Sequence, residues 1–69
     1  MVELTEAIPA LLAGLSLSER TVLVGLYFLG MTVRELAQAV GASASTVVDR
    51  HNRAMRELRK LALQRGIDL

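Results

Sequence analysis

Sixty-nine residues, 52% of them apolar, with a formal net charge of +1, sit near the lower size at which one core holds a fold unaided. With no cysteine and a single histidine, His51, the chain has no material for a disulfide, a thiolate metal site or a histidine cluster. Its carboxylates are scattered one by one rather than paired for acid–base work, so the expectation is a binding domain with no catalytic residue, metal or cofactor.

The first helix is expected over roughly Thr5 to Ala13, with Ile8, Leu11, Leu12 and Leu15 at helical spacing and Gly14 as its stop. Pro9 falls inside it and removes one backbone donor. Ser16-Leu17-Ser18-Glu19 has the form of a capping box, in which a hydroxyl takes an amide three residues on and the glutamate reaches back. It opens a second helix expected to run to about Leu29, closed by Gly30. Thr32-Val33-Arg34-Glu35 repeats the capping pattern and opens a short third helix that turns Leu36, Ala37 and Val40 inward and ends at Gly41. Ser43 is the natural N-cap of a long fourth helix reaching about Gln64, with Gly66 beyond it. Val47, Ala54, Leu58 and Leu61 make the inner stripe of that helix, and Arg50, Arg53, Arg56, Arg59 and Lys60 lie off it.

The third and fourth helices carry the parts of a helix-turn-helix. Ala37 is the small residue where the helices touch, and Leu36, Val40 and Val47 hold them apart from beneath. Gly41 makes the turn, and Ser43 caps the second motif helix. An ordinary helical hairpin is the alternative. Charge divides unevenly along the chain: residues 1–40 hold four acids against two bases, and residues 41–69 hold six bases against three acids. Basic charge therefore gathers where a nucleic-acid-binding helix would need it. The expected architecture is an all-α, four-helix domain over residues 1–69, with a three-helix core of the winged-helix kind and a long C-terminal recognition helix. The core spans 16–63 and the motif 33–52.

The stretch from Leu15 to Arg59 resembles region 4 of bacterial sigma factors, the domain that reads the promoter minus-35 element. The resemblance is carried by Ser18-Glu19-Arg20-x-Val22-Leu23, Tyr27-Phe28-x-Gly30-x-Thr32, Glu35-Leu36-Ala37, Ser45-Thr46-Val47, Arg50, and Arg53-Ala54-x-x-x-Leu58-Arg59. Leu4-x-Glu6-Ala7-Ile8 is similar to the helix that precedes it in the extracytoplasmic-function branch. LuxR-type regulator domains share the Glu-Arg-x-Val-Leu and Thr-Val signatures, and the spacing from Arg53 to Arg59 favours the sigma type.

The family's docking implies a DNA-binding set that begins at Ser43, with Ala44, Ser45, Val48, Asp49 and Asn52 facing base edges. It implies that Arg34, Thr46, Arg50, Arg53 and Arg56 hold phosphates. Strong base readers are Arg, Lys, Asn and Gln, whereas Ala44, Ser45 and Val48 offer a hydroxyl and methyl surface. Asp49 can accept from a cytosine amine but repels phosphate. His51 stands at the edge of the apolar stripe, where relatives often have leucine. It reads as a packing residue, with a phosphate contact as the alternative.

The second helix is apolar on almost every face from Thr21 to Met31, and such a helix wants cover on all sides. Leu26 and Leu29 stand where the sigma pattern usually places charge. They mark an expected protein interface, with the N-terminal helix as the alternative cover.

The expected partners are double-stranded DNA, RNA polymerase, and a second copy of the chain through the apolar second helix. A membrane is not expected, because the apolar run is too short to cross one. Glu3 and Glu6 without a base give the wrong charge for a leader segment, so the cytoplasm is the expected compartment, bacterial or phage. The leading reading is a promoter-binding transcription regulator. Sixty-nine residues leave no room for the domain that opens the minus-10 element, so the expectation is an excised domain or a stand-alone relative. Two other readings stay open. One is a sigma-like protein-interaction module, encoded by a phage or mobile element, that binds polymerase or a regulator and touches DNA weakly. The other is the DNA-recognition subunit of a larger assembly.

Overall fold

A computed structural model describes residues 4–67, with side chains from residue 8 onward. Glu3 and Asp68, which enter the charge division above, and the side chains of Glu6 and Ala7, which enter the resemblance, lie outside the described residues. The chain order is α1 (Leu4–Ala13), α2 (Leu17–Leu23), a π-helical segment (Val24–Phe28), α3 (Val33–Val40) and α4 (Ala44–Gln64). No strand occurs among the described residues.

Each boundary has a local cause. The α1 helix runs through Pro9, whose missing N–H leaves one carbonyl a turn earlier without its helical partner. Ser16 and Thr32 both close full capping boxes. The Ser16 hydroxyl accepts from the Glu19 N–H at 3.3 Å, and the Glu19 carboxylate accepts from the Ser16 N–H at 3.0 Å. The corresponding distances for Thr32 and Glu35 are 3.1 and 3.0 Å. The α3 helix ends on Gly41 at φ 69°, ψ 34°, a left-handed conformation that costs a residue with a Cβ roughly 1–2 kcal/mol. It lets the Ala42 N–H return to the Ala37 carbonyl at 2.9 Å, the closing bond of a Schellman turn.

The second helix departs from the expected continuous run to Leu29. After Leu23 it widens into a π turn, in which the Leu29 N–H bonds the Val24 carbonyl five residues back at 3.0 Å. The close at Gly30, φ 69°, is widened to match, the Met31 N–H reaching the Gly25 carbonyl at 3.0 Å. Gly25 is buried, and a Cβ placed there would stand 2.8 Å from Leu36 Cδ1. The π segment and α3 therefore approach as closely as a bare backbone allows.

The long α4 is the spine of the molecule. Its 21 residues at about 1.5 Å each reach roughly 31 Å, most of the 39 Å long axis. Three buried clusters are strung along it. Val47 packs with Val22, Leu36 and Ala37 at the motif end. Ala54 packs with Leu15 and Leu23 in the middle, and Ala62 packs with Leu11 at the far end. The α4 residues that are fully buried are Val47, Ala54 and Ala62; two are alanines, which let neighbouring helices lie close to the spine. Leu58 and Leu61 of the expected stripe are half-buried and cover the two rear clusters.

Candidate nucleic-acid interface

The end of α4 nearest the turn is organised by one hydroxyl. Ser43 Oγ accepts from the Thr46 N–H at 3.1 Å and donates to Thr46 Oγ1 at 2.9 Å. Ser45 Oγ lies 3.1 Å away on its other side. A serine hydroxyl carries one proton, and that of Ser43 goes to Thr46, so Ser45 is the donor in the third bond. Ser43 is thus saturated within the cap. Ser45 turns lone pairs outward, and Thr46, whose oxygen already accepts, keeps its own proton free to donate. The first amides of α4 have no helical partner by geometry and join that proton as donors suited to a phosphate oxygen.

Side chains of a helix advance by about 100° per residue. Ser45, Val48, Asp49, Asn52 and Arg56 therefore fall on one arc, with Arg53, Arg59 and Lys60 at its flanks, opposite the stripe of Val47, Ala54 and Leu58. Burial follows the same division: every one of these arc residues is exposed, as are Ala44 and Arg34 near the start of α3. Thr46 and Arg50 are half-buried, at the border between the arc and the body. Of the DNA-facing residues expected from the sequence, Ser45, Val48, Asp49, Asn52, Arg53 and Arg56 share this exposed arc, Ser43 and Ala44 stand at its N-terminal end, Thr46 and Arg50 at its border, and Arg34 is exposed on α3. The outward arc carries four bases, Arg53, Arg56, Arg59 and Lys60, against the single acid Asp49.

His51 is half-buried beside this arc. Its Nε2 lies 2.7 Å from the Tyr27 hydroxyl and its Nδ1 lies 3.3 Å from Asn52 Oδ1. The two rings are tilted by 34° with centroids 5.7 Å apart. His51 stands at the edge of the apolar stripe, as its sequence position implies, but its partner Tyr27 leaves no local signal in the sequence. The two lie 24 residues apart in sequence, on different helices.

The expected protein-interface residues separate. Leu26 is half-buried and packs on the Val22–Leu36–Val47 cluster. Leu29 is 68% exposed and follows two exposed aromatics, Tyr27 at 63% and Phe28 at 57%. Beside these aromatics an apolar groove of about 290 Å³ runs between α1, the π segment and α4, lined among others by Ile8, Leu12, Phe28 and Met55.

Both capping glutamates are held below the ordinary carboxylate range. The Ser16 hydroxyl and then the Ser16 N–H lower Glu19, with a smaller contribution from the Arg53 charge. The Thr32 N–H and hydroxyl lower Glu35. No group of three or more His, Asp or Glu side chains able to hold a metal ion occurs among the described residues. No helix there is long and apolar enough to cross a membrane.

Comparison with curated proteins and with solved structures gave no match. The family described as Sigma-70, region 4 matches residues 11–60, a span that takes in both capping boxes, the Gly41 turn and the exposed arc of α4. The chain belongs to the sigma-70 region 4 family, and it is an all-α, DNA-binding helix-turn-helix domain of the sigma-factor type.

Proposed function

We propose that the domain binds promoter duplex through the outward arc of α4, as a minus-35 reader does, and regulates transcription together with RNA polymerase in the bacterial or phage-infected cytoplasm. The observation that carries this reading is the rank of exposed Arg53, Arg56, Arg59 and Lys60 directly opposite the buried stripe. Arg34, Thr46, Arg50, Arg53 and Arg56 hold phosphates, and Ala44, Ser45, Val48, Asp49 and Asn52 meet base edges. Ser43 acts by fixing the cap. The protein is a binding regulator and not a catalyst.

A salt titration of binding to duplex DNA tests this. Neutralising about four phosphates gives a log–log slope near −3 to −4. Replacing Arg53 and Arg56 together with alanine lowers its magnitude by about 2, roughly 1 for each phosphate left without its guanidinium. An unchanged slope would place DNA on another face.

The exposed Phe28 in the apolar groove, followed by the exposed Leu29, favours a second, compatible reading, in which this end of the second helix docks on RNA polymerase or on a second copy of the chain. Burying one such side chain gains roughly 1.5–3 kcal/mol. Phe28→Ser with Leu29→Ser is expected to abolish polymerase binding or self-association while leaving the salt slope intact. Unchanged mass in solution and unchanged polymerase binding would remove this reading. Leu26 is the poorer test, because its packing on the Val22–Leu36–Val47 cluster makes a polar substitution there report on the core.

A further inference from the structure

We propose that His51 is a specificity-determining positioning residue: gripped by Tyr27 of the π segment, it fixes the amide of Asn52 with the oxygen turned toward the imidazole and the NH2 turned outward. The proposal rests on the reading that α4 meets DNA. Asn52 Oδ1 can only accept, so the 3.3 Å contact with His51 Nδ1 requires the proton on Nδ1. A neutral imidazole then has a bare Nε2, and the 2.7 Å contact with Tyr27 is the tyrosine hydroxyl donating to it. The chain of bonds runs one way, from the Tyr27 O–H to Nε2 and from Nδ1–H to Asn52 Oδ1.

The consequence lies at the surface. Asn52 is exposed on the same arc as Ser45, Val48, Asp49 and Arg56. A free asparagine reads adenine by presenting its oxygen to N6 and its nitrogen to N7, whereas guanine shows two acceptors, N7 and O6, in the major groove. An amide whose oxygen is held toward His51 presents two N–H donors and fits guanine. Asp49, one turn earlier, is an acceptor suited to the cytosine amine, so the two side chains together favour G·C pairs. Arginine or lysine is the usual guanine reader. On this arc an asparagine takes that part because a histidine sets its orientation.

Two measurements test the proposal separately from DNA binding itself. Long-range proton–nitrogen NMR of the free protein, in mildly alkaline buffer where imidazoles are neutral, is expected to show His51 in the Nδ1–H form, which an unrestrained histidine disfavours. Tyr27→Phe is expected to return it to the Nε2–H form. A wild-type ring already in the Nε2–H form, or a ratio unmoved by Tyr27→Phe, overturns the relay.

Selection from a randomised duplex pool reads the specificity, at the base position whose preference Asn52→Ala removes. There the wild-type chain is expected to favour guanine over adenine by about tenfold. His51→Leu and Tyr27→Phe are each expected to narrow that preference to within about twofold with the salt slope unchanged. Salt-dependent binding with the guanine preference retained in both variants overturns the specificity role and leaves the DNA reading standing. Absence of salt-dependent binding, with the Nδ1–H form present, supports the relay while overturning both the DNA reading and the specificity role.

Discussion

A methyl group on Gly25 would meet Leu36 Cδ1 at 2.8 Å, and one on Gly14 would meet Leu61 Cδ1 at 2.9 Å. The consequences differ because Leu36 is buried and Leu61 is only half-buried. Leu36 has nowhere to move, so Gly25→Ala is expected to cost about 1–3 kcal/mol by overpacking. Gly14→Ala is expected to cost clearly less, and denaturant unfolding of the pair checks the order. A glycine inside an apolar helical run is a signal of close approach, so Gly25 was open to that reading from the sequence. What it approaches was not, because Leu36 lies on a different helix. The capping glutamates give the residue-scale prediction for pH. Both have folded pKa values below the ordinary 4.5, so each contributes stability that is fully present above that value and lost as pH falls through the lowered one. Thermal unfolding followed downward from neutral pH is expected to show a loss below about pH 4.5 that is smaller in Glu19→Gln and Glu35→Gln than in the parent. An equal loss in the variants would contradict the assignment.

The helix boundaries were the most legible feature of the sequence because their causes are local. A hydroxyl three residues before a glutamate, and a glycine after an apolar run, act through bonds only a few residues long. The boxes at Ser16 and Thr32, the Gly41 turn and the Ser43 cap all stand where the sequence places them. The π segment was not legible. Its extra residue is accommodated where the backbone of Gly25 meets α3, a tertiary approach that leaves no periodic trace in a run apolar on every side. Ser43→Ala removes three bonds centred on one hydroxyl and is expected to cost about 1–2 kcal/mol, in the upper part of the range for N-caps. Ser16→Ala, whose hydroxyl makes longer bonds at 3.3 and 3.5 Å, is expected to cost less, near about 0.5–1 kcal/mol. The reverse order in chemical denaturation would show that the hydroxyl cluster at the start of α4 is not the tighter cap.

At the scale of the molecule, one helix serves as spine and, in the proposed function, as the face that meets DNA. The buried side of α4 gathers the three clusters and the opposite side displays the arginines, so holding the fold and presenting charge use separate faces of the same 21 residues. That division was visible in the sequence as an apolar stripe with bases off it. The apolar second helix was visible as an oddity, but not how its residues divide. Leu26 packs inward, whereas Phe28 and Leu29 remain exposed, Phe28 lining a groove whose walls come from elements far apart in the chain. The central claim, that duplex DNA meets the outward arc of α4, is tested most directly by mapping amide and side-chain NMR shifts as a duplex is added. The expected shifts concentrate on Arg34 and on Ala44 to Arg56, with Ile8, Leu12 and Phe28 in the apolar groove unmoved. Shifts confined to the groove, with Asn52, Arg53 and Arg56 unchanged, would contradict it.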